Sequence, residues 1–286
     1  MTPAQLVREA ELYLEDHGCS DARIDAWYLY EYVFGTNRTQ FMLGREEPFS
    51  PEAKERIETY RHLTERRGMG EPLQYITGEA WFMGLRFAVD PSVLIPRADT
   101  EILVEAALDQ LQEGESVLDL CTGSGCIILS LARLGRPGKA VGADISAAAL
   151  KTAQKNRELL GLSQTELIQS DLFENITGRY DMIVSNPPYI PSGQIPHLMR
   201  EVAHHEPVLA LDGSQDGLAF YREITRRAGD YLLPGGRLLM EIGMDQGQAV
   251  SGLMLEAGFL AVSVRKDLAG LDRVVMGRLP DQKGQA

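Results

Sequence analysis

Val117-Leu118-Asp119-Leu120-Cys121-Thr122-Gly123-Ser124-Gly125-Cys126-Ile127 is the stretch on which the fold turns. An apolar run of strand length enters a glycine loop, and a helical pattern follows from Ile127. Glycine lets a backbone come close to a ligand. A dinucleotide loop would carry G-x-G-x-x-G, and a P-loop would end in Gly-Lys-Ser/Thr. Here the third glycine position is Ile128 and no such lysine follows. The loop therefore suits a ligand without a pyrophosphate, such as S-adenosylmethionine, or is a tight strand–helix turn with no ligand at all.

Outward from this loop, strands and helices alternate. Helices are expected over 99–111, 127–134, 147–160, 217–231 and 247–257. Strands are expected over 116–120, 140–143, 166–169, 180–185, 237–242, 261–266 and 273–278. Repeated β-α-β units with apolar strands imply an α/β fold, a doubly wound, mostly parallel Rossmann-like sheet. Such sheets bind ligands at the carboxyl ends of their strands.

Three further motifs fall at those ends. Asp144 closes Val141-Gly142-Ala143-Asp144, 19 residues after Gly125. An acid there can accept both ribose hydroxyls of a nucleoside, although a lone Asp at a strand end also serves as a helix cap. Ser170-Asp171-Leu172-Phe173 follows the third strand. Asp171 could accept an adenine amine, with Leu172 or Phe173 packed on the ring; the plainer reading is a turn with core residues. Cys121, Thr122, Gly123, Ser124, Gly125, Asp144, Asp171, Leu172 and Asn186 are the expected cofactor-binding residues.

The last motif is Asn186-Pro187-Pro188-Tyr189, after Met182-Ile183-Val184. Proline fixes φ, lacks an N–H and pushes the preceding residue to an extended conformation. The pair makes a stiff loop that offers carbonyl oxygens without neighbouring donors. A planar NH₂ group needs two coplanar acceptors, which the Asn186 side chain and the Pro187 carbonyl could supply. Tyr189 offers an aromatic face to a flat substrate. Asn186, Pro187, Pro188 and Tyr189 are the expected substrate-binding residues, with Asn186, Pro187 and Tyr189 catalytic. Read by itself, the loop leaves amides and base amino groups level.

The rest of the chain is quieter. Residues 1–72 read as a helical bundle. Thr2-Pro3-Ala4-Gln5 carries the signature of a capping box, helices are expected over 21–34 and from Ser50-Pro51 to Arg67, and no catalytic constellation appears. Residues 73–92, with Trp81-Phe82-Met83-Gly84-Leu85-Arg86-Phe87, read as a β-hairpin linker. Residues 93–286 form the expected catalytic domain. The net charge of −13 disfavours a protein that grips nucleic-acid phosphates. Cys19, Cys121 and Cys126 match no zinc spacing, and no metal cluster is evident. Of His17, His62, His197, His204 and His205, the last two lie close downstream of the Pro loop and read as surface or structural rather than catalytic. No apolar run approaches the roughly 18 residues of a membrane span, and the polar N-terminus does not read as a signal peptide; a cytoplasmic monomer is expected.

With these motifs in place, the chain resembles the release-factor glutamine methyltransferases, the PrmC/HemK family. The resemblance spans nearly the whole length. It includes Gly70-Glu71-Pro72-Leu73-Gln74-Tyr75-Ile76-Thr77-Gly78, Leu94-Ile95-Pro96-Arg97-Ala98-Asp99-Thr100-Glu101, Glu206-Pro207, Leu211-Asp212-Gly213, Asp216-Gly217-Leu218 and Asp272-Arg273-Val274-Val275. It implies N5-methylation of the Gly-Gly-Gln glutamine in class-1 peptide chain release factors, with S-adenosylmethionine as cofactor. It further implies that Asn186 and Pro187 bind the amide, and that Gly123, Gly125 and Asp144 bind the cofactor. The alternative is methylation of an exocyclic amine of adenine or guanine in DNA or RNA, because those enzymes also use Asn-Pro-Pro-Tyr. Two departures stand out: Cys121 and Ser214 occupy places where relatives commonly carry Gly.

Overall fold

A computed structural model describes residues 1–281. The final residues of the expected catalytic domain, 282–286, lie outside the described residues. The chain divides into two compact units, residues 1–78 with 199–205, and residues 79–198 with 206–286.

The first unit is helical: α1 Pro3–Asp16, α2 Ala22–Phe34, α3 Arg38–Gly44, α4 Lys54–Gly68, α5 Leu73–Thr77 and a later segment, α9 Arg200–His205. The Thr2/Gln5 capping box starts α1, and Leu6, Ala10 and Leu14 recur on its buried face. Gly35 ends α2 in the left-handed region. The tyrosine ring of Tyr60 is fully buried, and its hydroxyl donates to the Ala26 carbonyl at 2.9 Å. At the C-terminal end of α4, the buried Arg67 guanidinium bridges Asp25 at 2.7 Å and Glu201 at 2.9 Å. Two helices differ from the sequence expectation. α3 has its own capping box, Asn37 with Gln40, but none of its residues is buried, so no apolar period announces it. α5 occupies the start of the segment expected as hairpin, which begins at residue 79 instead.

The second unit opens with that hairpin, β1 Glu79–Phe82 paired antiparallel with β2 Leu85–Ala88. It is no free connector. Phe82 and Phe87 are buried in the core with Leu103, Ile127 and Ile128. The fully buried Asn156 exchanges two hydrogen bonds with the Ala88 backbone, at 2.6 and 2.9 Å, and donates to the Ser124 carbonyl at 2.9 Å. One side chain therefore ties hairpin, helix and glycine loop together.

The remaining elements are α6 Ala98–Leu108, β3 Ser116–Leu120, α7 Cys126–Leu134, β4 Lys139–Asp144, α8 Ala147–Leu159, β5 Glu166–Gln169, β6 Tyr180–Ser185, α10 Ala219–Tyr231, β7 Leu232–Glu241, α11 Gly247–Glu256, β8 Leu260–Lys266 and β9 Asp272–Arg278. The seven-stranded sheet has the order β5-β4-β3-β6-β7-β9-β8. β9 runs antiparallel to both of its neighbours, and the other pairings are parallel. Strand residues alternate between two cores: Leu118, Leu120 and Ile183 face that of α10 and α11, while Val117, Met182 and Val184 face that of α6 and α7. A sheet covered on both faces needs apolar residues at consecutive positions, which explains Met182-Ile183-Val184 in β6 and Val117-Leu118 in β3, where the buried Asp119 is the exception. The chain proceeds from β3 through β4 to β5 in one direction, then returns to β6 on the other side of β3. The crevice lies at that reversal, where Leu120 pairs with Ser185.

Candidate active site at the sheet switch point

Two loops leave the adjacent strands β3 and β6 at the same level. Ser185 Oγ donates to the Leu120 carbonyl at 2.8 Å, fastening the two strand ends together. The first loop is shaped by its own hydrogen bonds. Thr122 N–H donates to Ala143 at 2.9 Å, and Gly125 N–H returns to the Thr122 carbonyl at 2.8 Å. The Thr122 hydroxyl donates at 2.6 Å to Asp119, a fully buried carboxyl that burial pushes up to about 8. Gly125, at φ 80°, starts α7.

Cys121 and Ser214, the two departures noted against the resembled family, both sit in the left-handed region, at φ 59° and 71°. That conformation costs a non-glycine residue roughly 1 kcal/mol or more, and glycine's extra unfolded-state freedom offsets part of the gain from replacing it. We expect Cys121→Gly and Ser214→Gly each to raise stability by up to about 1 kcal/mol. Urea unfolding checks this, and a lowered midpoint would contradict it.

Asp144 ends β4 half-buried. Its Oδ2 accepts from Gly123 N–H and its Oδ1 from Ser146 N–H, both at 2.8 Å. Burial raises its pKa while these N–H groups act against the rise. Each oxygen keeps lone-pair capacity for a further donor. After β5, Ser170 Oγ donates to the Leu172 carbonyl at 2.8 Å and accepts from Asn175 N–H at 3.0 Å.

These loops enclose a cavity of about 340 Å³, a size suited to a small molecule. Of the expected cofactor residues, Cys121, Thr122, Gly123, Ser124, Asp144, Asp171, Leu172 and Asn186 line it. Gly125 does not; it serves as the helix cap. Leu172 takes the wall position, whereas Phe173 is buried in the core and stacks on Tyr231 at 4.5 Å. Among the substrate residues, Asn186 and Pro188 reach the wall, but Pro187 and Tyr189 are not among the lining residues. Tyr189 packs instead against the α10–α11 core, and burial pushes its phenol far above the ordinary range.

The Asn-Pro-Pro-Tyr loop is braced from behind. Gln246 Nε2 donates to the carbonyls of Tyr189 at 3.0 Å and Gly217 at 3.3 Å, and its Oε1 accepts from Gly243 N–H and the Tyr221 hydroxyl. Ile190 and Gly213 exchange backbone bonds with the 211–213 turn and Ile190 in their turn, Ile190 N–H to Leu211 and Gly213 N–H to Ile190. In front, Asn186 Nδ2 donates to Thr100 Oγ1 at 3.2 Å. Arg97, on the cavity wall, is paired with the buried Glu206. Thr100, Glu206 and Gln246 had no role assigned from motif spacing. Thr100 and Glu206 lie in segments shared with the resembled family, while Gln246 carries no such signal.

A nucleoside-sized crevice between a glycine loop and an Asn-Pro-Pro-Tyr loop, at the switch point of this strand order, makes the second unit an S-adenosylmethionine-dependent methyltransferase. A methyltransferase from Pyrococcus furiosus shares its fold at a TM-score of 0.54 and 17% identity, over 70% of this chain and 91% of that one. The chain matches the PrmC N-terminal domain over residues 5–78 and the methyltransferase small domain over residues 97–214. It is 42% identical to the release factor glutamine methyltransferase of Geobacter sulfurreducens, over 93% of both chains. It is 44% identical to that of Neisseria gonorrhoeae, over 90% of this chain and 93% of the relative. The chain belongs to the release factor glutamine methyltransferases.

Proposed function

We propose that the protein N5-methylates the glutamine of the Gly-Gly-Gln motif in class-1 peptide chain release factors, and that Asn186 and Pro187 hold the acceptor amide. The observation that carries this reading is the placement of Asn186 on the wall of the same cavity as Cys121–Ser124 and Asp144. S-adenosylmethionine, when bound, supplies an electrophilic methyl group on a sulfonium. The donor set fits it: Asp144 has acceptor capacity for ribose hydroxyls, and Leu172, Ala149 and Phe220 give apolar wall for the adenine.

An amide nitrogen is a poor nucleophile because its lone pair is delocalised into the carbonyl. The chain's own residues act by position and electrostatics. With Asn186 Nδ2 on Thr100, Oδ1 is the acceptor for one N–H of the substrate amide; the Pro187 carbonyl, although Pro187 does not itself line the cavity, is the acceptor we assign to the other. Two fixed acceptors stop the NH₂ group from rotating and stabilise the positive charge that develops on nitrogen. The methylated nitrogen is strongly acidic, so its surplus proton leaves to water without a dedicated base.

We assign the helical unit to recognition of the release factor. Ile24, Tyr28 and Tyr32 recur one turn apart on α2 and are each more than half exposed, an apolar stripe of the kind a protein partner covers. The reading is of a monomer acting in the cytoplasm; no helix among the described residues is long and apolar enough to cross a membrane.

The test is incubation with S-adenosylmethionine and a class-1 release factor, followed by peptide mass mapping. One added methyl on the Gly-Gly-Gln glutamine is expected. Transfer to nucleic acid in the same mixture, with none to the release factor, would overturn the reading.

A further inference from the structure

Holding an amide substrate demands more of Asn186 than its presence. A carboxamide has an acceptor on one side and a donor on the other, and it turns over by rotation of its terminal torsion, which is broad and nearly two-fold. With Oδ1 toward the substrate NH₂ the two pair. With Nδ2 there, donor meets donor and both are left unpaired in a half-buried site. The protein has to choose the orientation.

We propose that Thr100 and Glu241 are positioning residues that lock the Asn186 carboxamide with its nitrogen turned into the protein and its oxygen toward the acceptor amide, an inference resting on the assignment of Asn186 as the amide-binding residue. Three elements meet at this point. Asn186 follows β6. Thr100 lies in the first turn of α6 and is 3% exposed; its Oγ1 is 3.2 Å from Asn186 Nδ2. Glu241 ends β7 and is 2% exposed. Ser185 pairs with Met240 across β6 and β7, so Asn186 and Glu241 are the next residues along neighbouring strands. The Glu241 backbone is pinned by the Tyr221 hydroxyl, which donates to its carbonyl at 2.9 Å.

Thr100 cannot make the choice unaided. A hydroxyl donates and accepts, so it pairs equally well with Nδ2 or Oδ1. An ionised carboxyl accepts only. Buried Glu241 Oε2 has no hydrogen-bond partner among the described residues; ionised, the carboxyl can accept the Thr100 hydroxyl proton or an Asn186 N–H, and either leaves the Thr100 oxygen or Glu241 as an acceptor toward Asn186. The nitrogen is then held inward. A protonated Glu241 can itself donate, and the lock is lost.

Burial pushes the Glu241 carboxyl up to about 7, with the Thr100 hydroxyl, Arg273 and the Asn186 carboxamide favouring ionisation and Asp99 opposing it. Tyr189, Tyr221 and Cys126 also face it, and burial raises all three, so they are neutral near pH 7. Because the carboxyl is raised, its ionised form is present above about pH 7 and lost below it. The lock should therefore fail toward acid.

The experiment measures kcat at saturating release factor, together with cofactor affinity by calorimetry. Thr100→Val should lower kcat about tenfold or more while cofactor Kd stays within about twofold, and Thr100→Ser, which keeps the hydroxyl, should recover most of the loss. Wild-type kcat between about pH 5.5 and 8.5 should show an acid limb with its midpoint near 7, and Glu241→Gln should remove that limb. Thr100→Val at wild-type kcat, or an acid limb unchanged in Glu241→Gln, overturns the proposal. A flat wild-type profile overturns it too, and that measurement needs no variant to fold. Asn186→Ala in the same assay separates the two claims. If it is crippled while Thr100→Val is not, only the positioning role falls; if it turns over fully, the assignment of Asn186 falls with it.

Discussion

Asn186→Ala should lower kcat by about 10²–10³ while leaving cofactor affinity within about threefold, because it removes one fixed acceptor from a site that works by preorganised electrostatics. The alanine keeps the backbone between Ser185 and the two prolines, and so keeps the loop. The other residues proposed to hold the cofactor, the 121–124 loop and Asp144, line the cavity from other strand ends. Losing the Asn186 Oδ1 leaves one substrate N–H unmatched and the acceptor amide free to rotate. Single-turnover rates with a release factor, set beside calorimetric cofactor binding, separate the two effects. Full turnover at saturating release factor would remove Asn186 from the catalytic machinery.

Gly217→Ala should damage both stability and turnover, by about 2–3 kcal/mol or more and at least about tenfold. A Cβ at Gly217 would stand 2.3 Å from the Tyr189 carbonyl oxygen and 2.8 Å from Gln246 Nε2, and the residue has φ 73°. The added methyl therefore strikes the hydrogen bond that braces the Asn-Pro-Pro-Tyr loop from behind, in a conformation alanine disfavours. Gly213 is also crowded, its Cβ meeting Tyr189 Cα at 2.8 Å. Gly193, in the short helical turn beyond the loop, has open space around it, so Gly193→Ala is the matched control and should be close to neutral. Urea unfolding and kcat on the two variants test the brace. A Gly217→Ala enzyme with wild-type stability and rate would show that the loop does not depend on it.

The central strands β3 and β6 were legible because all but one residue of each is buried. β3 and β6, and the edge strand β5, begin and end where the sequence places them; for β3 and β6, whose two faces are both covered, consecutive apolar residues are the required pattern, broken in β3 by the buried Asp119. Helices with local punctuation were equally plain, as with the Thr2/Gln5 box and Gly35. α3 escaped because a helix with no buried face has no period. β7 starts at Leu232 rather than near Arg237, carried through Pro234-Gly235-Gly236 by a register shift against β6, and a Pro-Gly-Gly run reads locally as a turn.

Each of the four loops that build the site is a short unbroken run of residues, and so the sequence by itself pointed to the cofactor class and to a planar NH₂ acceptor, while the choice of an amide over a base came from the family resemblance. Each loop's chemistry resides in a few neighbouring residues whose backbone freedom and side-chain donors follow from residue type. The tertiary structure alone decided what those loops rest on. Asn186 meets Thr100 from 86 residues away, Tyr189 turns into the core and is held by Gln246, and Phe173 is buried while Leu172 faces the cavity. Such pairings depend on strand order, on β9 entering between β7 and β8, and on which side chain fills which space. Periodicity and propensity record local conformation and burial, but they do not record which distant residue supplies the partner.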